Sequence, residues 1–140
     1  MTDRIKYKEC IVFLLAKANQ KAQRNLKIRL KRFNLTTVQG LILGELFEED
    51  GMTASELGSR LVLDNATVSG VLDRLLERGW IVKEADVNDK RVQKIFLSSR
   101  NDNNLIDDLF LARKEANEET MQKLSLQEQI LLKRFLRDVL

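Results

Sequence analysis

Apolar residues recur at steps of three and four along most of this chain, interrupted by one stretch that breaks into short extended runs. Ile11, Leu15, Ala18, Ala22, Leu26, Leu30 and Phe33 trace a single stripe over about six helical turns. Val38, Leu41, Ile42 and Leu46 repeat the pattern more briefly, closed by Glu48, Glu49, Asp50 and Gly51. Beyond residue 100, Leu105, Leu109, Ala112 and Ala116 make another stripe, and Leu131, Leu132, Phe135, Leu136 and Val139 make a last one. Proline is absent, so helix boundaries must be read from caps and glycines. Thr36 with Gln39, Thr53 with Glu56 and Ser125 with Glu128 each fit the S/T-x-x-E/Q box, in which two side chains satisfy amides that a helix start leaves unpaired.

Between residues 53 and 97 the order changes. TASELGSRLVLDNATVSGVLDRLLERG holds two helical patterns separated by a turn, and WIVKEADVNDKRVQKIFLS follows with two extended runs around a charged tip. Supporting helix, reading helix and wing in that order predict a winged helix-turn-helix. The fold class is therefore mainly α with a small antiparallel β-wing. Residues 36–99 form the winged unit, and 1–35 with 100–140 form helical arms, joined after the wing by SSRNDNN at 98–104. The arms carry more apolar surface than a small winged unit can cover, which predicts a homodimer built from the two ends of the chain.

In the reading helix, Val68, Leu72, Leu75 and Leu76 share a face expected to pack inward, leaving Ala66, Ser69, Gly70 and Asp73 outward. Small polar side chains suit a helix entering the major groove: Thr67 and Ser69 can bond base edges or phosphates, and Ala66 can touch a thymine methyl. Asn65 either caps the helix or pairs with adenine. Arg74 and Arg78 flank this face as phosphate contacts, with surface ion pairs to Asp73 or Glu77 as the plainer role. Asp73 is expected to orient a nearby arginine. Gly79 ends the helix, and the wing tip brings Lys90, Arg91 and Lys94 to grip a backbone or a narrow minor groove, or simply to solvate a hairpin.

Charge sharpens this picture. The net charge is only +3, yet residues 1–35 hold ten Lys or Arg against two acids. Such a segment attracts polyanions, although a charge run on a long helix is also an ordinary solvated face. No histidine and a single cysteine, Cys10, remove the commonest general base, a disulfide and a CxxC site, which argues against catalysis, metal or cofactor. No apolar run reaches the ~18 residues of a membrane span, and MTDRIKYKE is too charged for a signal peptide, so a cytoplasmic location is expected.

LTTVQ at 35–39, TASELGSRL at 53–61, NATVSGVLDRLLERGWI at 65–81 and the Asp89-Lys90-Arg91 wing followed by KIFLS together resemble the MarR family of transcriptional regulators, over almost the whole length. That resemblance implies a dimer with interlocked terminal helices, reading helices in successive major grooves of a near-palindromic operator, and Arg91 in the minor groove steadied by Asp89. The DNA-contacting set is then Thr36, Thr53, Ser55, Asn65, Ala66, Thr67, Ser69, Gly70, Arg74, Lys90, Arg91 and Lys94. Many members carry arginine mid-helix where this chain has Gly70, which moves specificity toward shape. The resemblance also implies a small aromatic or phenolic effector, for which Phe13, Lys17 and Phe47 are candidates as an apolar wall and one cation.

One branch of the family senses organic hydroperoxides through a cysteine directly before Phe-Leu-Leu in the first helix. In CIVFLL that place belongs to Val12, and Cys10 lies two positions earlier, about 200° around the helix. A buried inert thiol and a thiol sensor activated by Lys6, Lys8 or Lys17 are the two readings of Cys10. The function expected is a ligand-responsive, double-stranded DNA-binding repressor without enzymatic activity. A winged-helix adaptor docking an acidic protein through the basic first helix is the alternative.

Overall fold

The computed structural model describes Arg4 and residues 6–140; residues 1–3 and 5, the start of the expected N-terminal arm, lie outside the described residues. Six α-helices and three strands are seen among them: α1 (Ile11–Leu30), α2 (Thr37–Glu48), β1 (Met52–Thr53), α3 (Ala54–Leu61), α4 (Asn65–Glu77), β2 (Ile81–Ala85), β3 (Gln93–Leu97), α5 (Asn103–Thr120) and α6 (Leu126–Asp138). The fold is mainly α with a small antiparallel sheet, a winged helix-turn-helix with helical arms. Residues 1–29 with 112–140 form one compact unit, and residues 30–111 form another.

All three capping boxes close as their spacing requires. The Thr36 Oγ1 accepts from the Gln39 amide at 3.2 Å, and the Gln39 side chain accepts from the Thr36 amide at 2.9 Å. The same reciprocal pair joins Thr53 to Glu56 and Ser125 to Glu128. Each contact spans three residues, so local sequence suffices to place α2, α3 and α6.

In the unit of residues 30–111, Leu30, Ile42, Leu43, Leu46, Leu57, Leu72, Leu75, Ile81 and Ile95 are almost wholly buried. Helices α2, α3 and α4 pack over the sheet, whose order is β1-β3-β2, all antiparallel. The hairpin β2–β3 follows from the two extended runs. Strand β1 does not: Met52 and Thr53 pair with Ile95 and Lys94, a partnership across some forty residues that periodicity cannot reveal. Helices α3 and α4 approach closely at Gly58, where a Cβ would stand 3.1 Å from the Leu63 carbonyl and 3.3 Å from Val68. Gly79 takes φ 75°, the left-handed conformation that ends α4 and turns the chain into β2. Leu76 departs from expectation, being 39% exposed where an inward position was predicted. It sits at the edge of the α4 stripe, and Val68, Leu72 and Leu75 already fill the core side.

In the other unit, Asn25 is buried and its Nδ2 donates to the Thr120 Oγ1 at 3.0 Å, while that hydroxyl donates to the Ala116 carbonyl at 2.7 Å. Arg29 pairs with Glu115 and Glu119. Asn25 and Arg29 thus add polar bonds to a helix read as one long apolar stripe, while Ala112 and Ala116 are buried as their stripe predicted. Ile11 and Leu15 of that stripe are exposed, and α6 has no buried residue at all. No helix among the described residues is long and apolar enough to cross a membrane.

Candidate nucleic-acid interface

The reading helix is capped by Asp64, not Asn65. One Asp64 carboxylate oxygen accepts the Thr67 amide at 2.7 Å, and the other accepts the Thr67 hydroxyl at 2.8 Å. These bonds to the ionised form hold the Asp64 carboxyl below its ordinary pKa. Asn65 is consequently released from capping and stands exposed in the first turn. The Thr67 hydroxyl, expected to meet a base edge or a phosphate, donates to Asp64. Sequence reasoning missed Asp64, although the D-x-x-T spacing there is itself a cap signal.

Ala66, Ser69, Gly70, Asp73 and Arg74 lie exposed along α4. Asp73 orients no arginine; its Oδ1 lies 3.3 Å from the Lys83 Nζ on β2. Lys83 thereby neutralises the carboxylate that would most repel a phosphate backbone. Arg78 makes neither a phosphate-ready projection nor an ion pair: its guanidinium donates to the carbonyls of Asn34 at 2.5 Å and Phe33 at 3.2 Å. It ties the end of α4 to the 3-10 turn Lys31–Phe33, whose Asn34 cap is left-handed and leaves those carbonyls outward.

At the wing tip, the Asp86 amide donates to the Val92 carbonyl and the Val92 amide to the Asp89 carbonyl, closing the turn. Asp86 accepts the Asn88 amide and pairs with Lys94 at 3.3 Å, and the first of these is the main reason its carboxyl titrates below the usual range. Lys94 is therefore partnered rather than free. Asp89 accepts the Arg91 amide at 3.0 Å, while the Arg91 side chain is 95% exposed and its Nε stays 4.0 Å from that carboxylate. Asp89 holds the backbone and leaves the guanidinium projecting. Lys90 is exposed beside it. Thr36 and Thr53 spend their oxygens on caps, and Ser55 is exposed in the first turn of α3.

The effector candidates divide. Phe13 and Lys17 line an open hollow of about 460 Å³ with Tyr7, Cys10, Val12, Ala16 and Gln20. The Tyr7 and Phe13 rings are 4.7 Å apart, and the Lys17 Nζ stands 6.0 Å from the Phe13 centroid. Cys10 is a half-buried free thiol. Phe47 belongs to the other unit, where it packs edge-on against Phe110 at 4.1 Å.

A capped outward helix, a supporting helix held close to it and a three-stranded sheet with a cationic hairpin define the winged helix-turn-helix class. The chain belongs to the MarR family, whose model matches residues 35–92. MgrA, a transcriptional regulator of Staphylococcus aureus, is 30% identical over 103 residues, which cover 73% of this chain and 70% of that protein. TtmR of Methylorubrum extorquens, also a transcriptional regulator, is 38% identical over 89 residues; these are 64% of this chain and 44% of TtmR, so the match spans less than half of that relative. A mutant MarR from Escherichia coli, solved in complex with operator DNA, superposes with a TM-score of 0.77 at 25% identity, with 91% of each chain covered.

Proposed function

We propose that this protein is a homodimeric transcriptional repressor that binds a near-palindromic DNA duplex, with α4 of each protomer in a major groove and Arg91 in the flanking minor groove. The observation that carries the reading is where cations are left free. Within residues 36–99, Lys83, Lys94 and Arg60 each have an acid partner and Arg78 is bound to carbonyls, whereas Arg74 and Lys90 have no acid partner among the described residues and Arg91 approaches Asp89 only to 4.0 Å. Those three are on the reading helix and the wing tip, the two elements that a groove-binding module presents to a duplex. The operator complex of the related Escherichia coli MarR supports the same kind of partner.

Dimerisation rests on the uncovered apolar residues of α1 and α6, among them Ile11, Val12, Leu126, Ile130, Phe135 and Val139. Water contact for so many large side chains is unfavourable, and a second copy removes it symmetrically. The effector we propose is a small aromatic acid in the hollow beside Tyr7 and Phe13, its carboxylate facing Lys17.

Selection of duplexes from a random-sequence pool at low salt tests this. Enrichment of inverted repeats with half-sites about 10 bp apart, in complexes of two chains per duplex by sedimentation, is the expected result. A pool that remains random, or a chain that sediments as a monomer at micromolar concentration, overturns the proposal.

A further inference from the structure

Helix α4 contains a glycine for which the chain itself supplies no reason. Gly70 stands mid-helix and is not among the glycines with positive φ, and a Cβ built there would meet no heavy atom within 4 Å. By contrast, a Cβ at Gly40, Gly51 or Gly58 would crowd a neighbour. Glycine in a helix interior is less stabilising than alanine, so the fold gains nothing from the missing side chain. What gains is whatever approaches α4 from outside.

Ala66 lies one turn before Gly70 on the same outward face. Helical side chains lean toward the N-terminus, so a side chain at position 70 would cover the surface around Ala66. Its absence leaves the Ala66 methyl and the bare Gly70 Cα open as a shallow apolar notch. On one flank, the Thr67 hydroxyl is drawn back to Asp64. On the other, Ser69 is exposed and has no hydrogen-bond partner among the described residues. A thymine edge offers an apolar methyl at C5 next to an acceptor at O4, and the methyl is the one apolar group that unmodified base pairs present in the major groove.

Resting on the DNA-binding reading above, we propose that the Ala66–Gly70 notch seats the C5 methyl of a thymine and that Gly70 is a specificity-determining residue. Ser69 donates to the O4 of the same base. The notch sits on the outward centre of α4, between the free Arg74 and the first turn, where the helix must come nearest to the groove floor.

Duplexes enriched by the wild-type protein are resynthesised with uracil replacing thymine at one position at a time, which removes the methyl and keeps every hydrogen-bonding group. Wild-type affinity falls about fourfold at one position per half-site, the effect of one buried methyl. In Gly70→Ala, the added Cβ fills the notch, the thymine duplex binds more weakly, and the uracil effect shrinks below about twofold. The same variant melts about 3 to 5 °C higher than wild type, which separates lost recognition from lost folding. Wild-type indifference to uracil at every position, or an undiminished uracil effect in Gly70→Ala, overturns the inference while DNA binding stands. Failure to enrich any duplex overturns the DNA-binding reading, and this inference with it.

Discussion

Salt dependence gives the sharpest measure of how the proposed interface works, because the structure distinguishes the cations that are free to displace counterions. Arg74, Lys90 and Arg91 have no close acid on each protomer, while Lys83 and Lys94 would have to abandon Asp73 and Asp86. A dimer therefore offers about six phosphate neutralisations, and at about 0.9 counterion each the logarithm of affinity should fall against the logarithm of salt with a slope of about −5.4. Between about 50 and 200 mM salt that is a loss of about 2,000-fold. Arg91→Ala removes two of the six contacts per dimer. The slope becomes about −3.6, and the loss over the same range shrinks to about 150-fold. Fluorescence anisotropy of a labelled enriched duplex across that range measures both slopes. Equal slopes for wild type and Arg91→Ala would refute the assignment of Arg91, and a wild-type slope shallower than about −2 would refute the count of free cations.

Val62 adopts φ 54° in the turn between α3 and α4 while 91% exposed, so Val62→Gly relieves a left-handed β-branched residue without losing packing and should stabilise the protein by about 1 kcal/mol in urea titrations. A destabilised variant would show that Val62 is held by contacts rather than merely tolerated. The Asp64 carboxyl titrates below its ordinary value because Thr67 bonds its ionised form, so its contribution is complete above about pH 4 and is lost as pH falls through its lowered folded-state value. Asp64→Asn should accordingly flatten the acid limb of stability against pH; a limb identical to wild type would remove Asp64 as a cause. Leu72, 1% exposed at the centre of the winged unit, should cost about 2 to 5 kcal/mol when changed to Ala, and a denaturation midpoint shift equivalent to under about 1 kcal/mol would contradict the packing described.

Much of the interface is legible in the amino-acid order alone, because its parts are local. Gly79 after an apolar stripe, turn formers around Asp89-Lys90-Arg91 and the small outward set from Ala66 to Asp73 all act within a few residues of one another. Competition between neighbours of equal chemistry hides the rest. Asp64 and Asn65 are both good caps, and only the backbone path shows that Asp64 has the extended φ and ψ of a cap while Asn65 is already helical. The same limit applies to Leu76, where a periodic stripe of four leucine and valine side chains is one wider than the core has room for.

By itself, the sequence determined where α2, α3 and α6 start, that α4 stops at Gly79 and which hairpin carries the cations, since capping boxes, a left-handed glycine and alternation are settled by interactions a few residues long. Tertiary structure alone decided that Met52 and Thr53 become a strand on β3, that Asp73 meets Lys83, that Arg78 turns to the carbonyls of Phe33 and Asn34, and that Phe47 joins Phe110 while Phe13 joins Tyr7. Each of those choices is between partners distant or ambiguous in sequence. A charged or aromatic side chain has several suitable partners along the chain, and only the folded backbone brings one of them within reach.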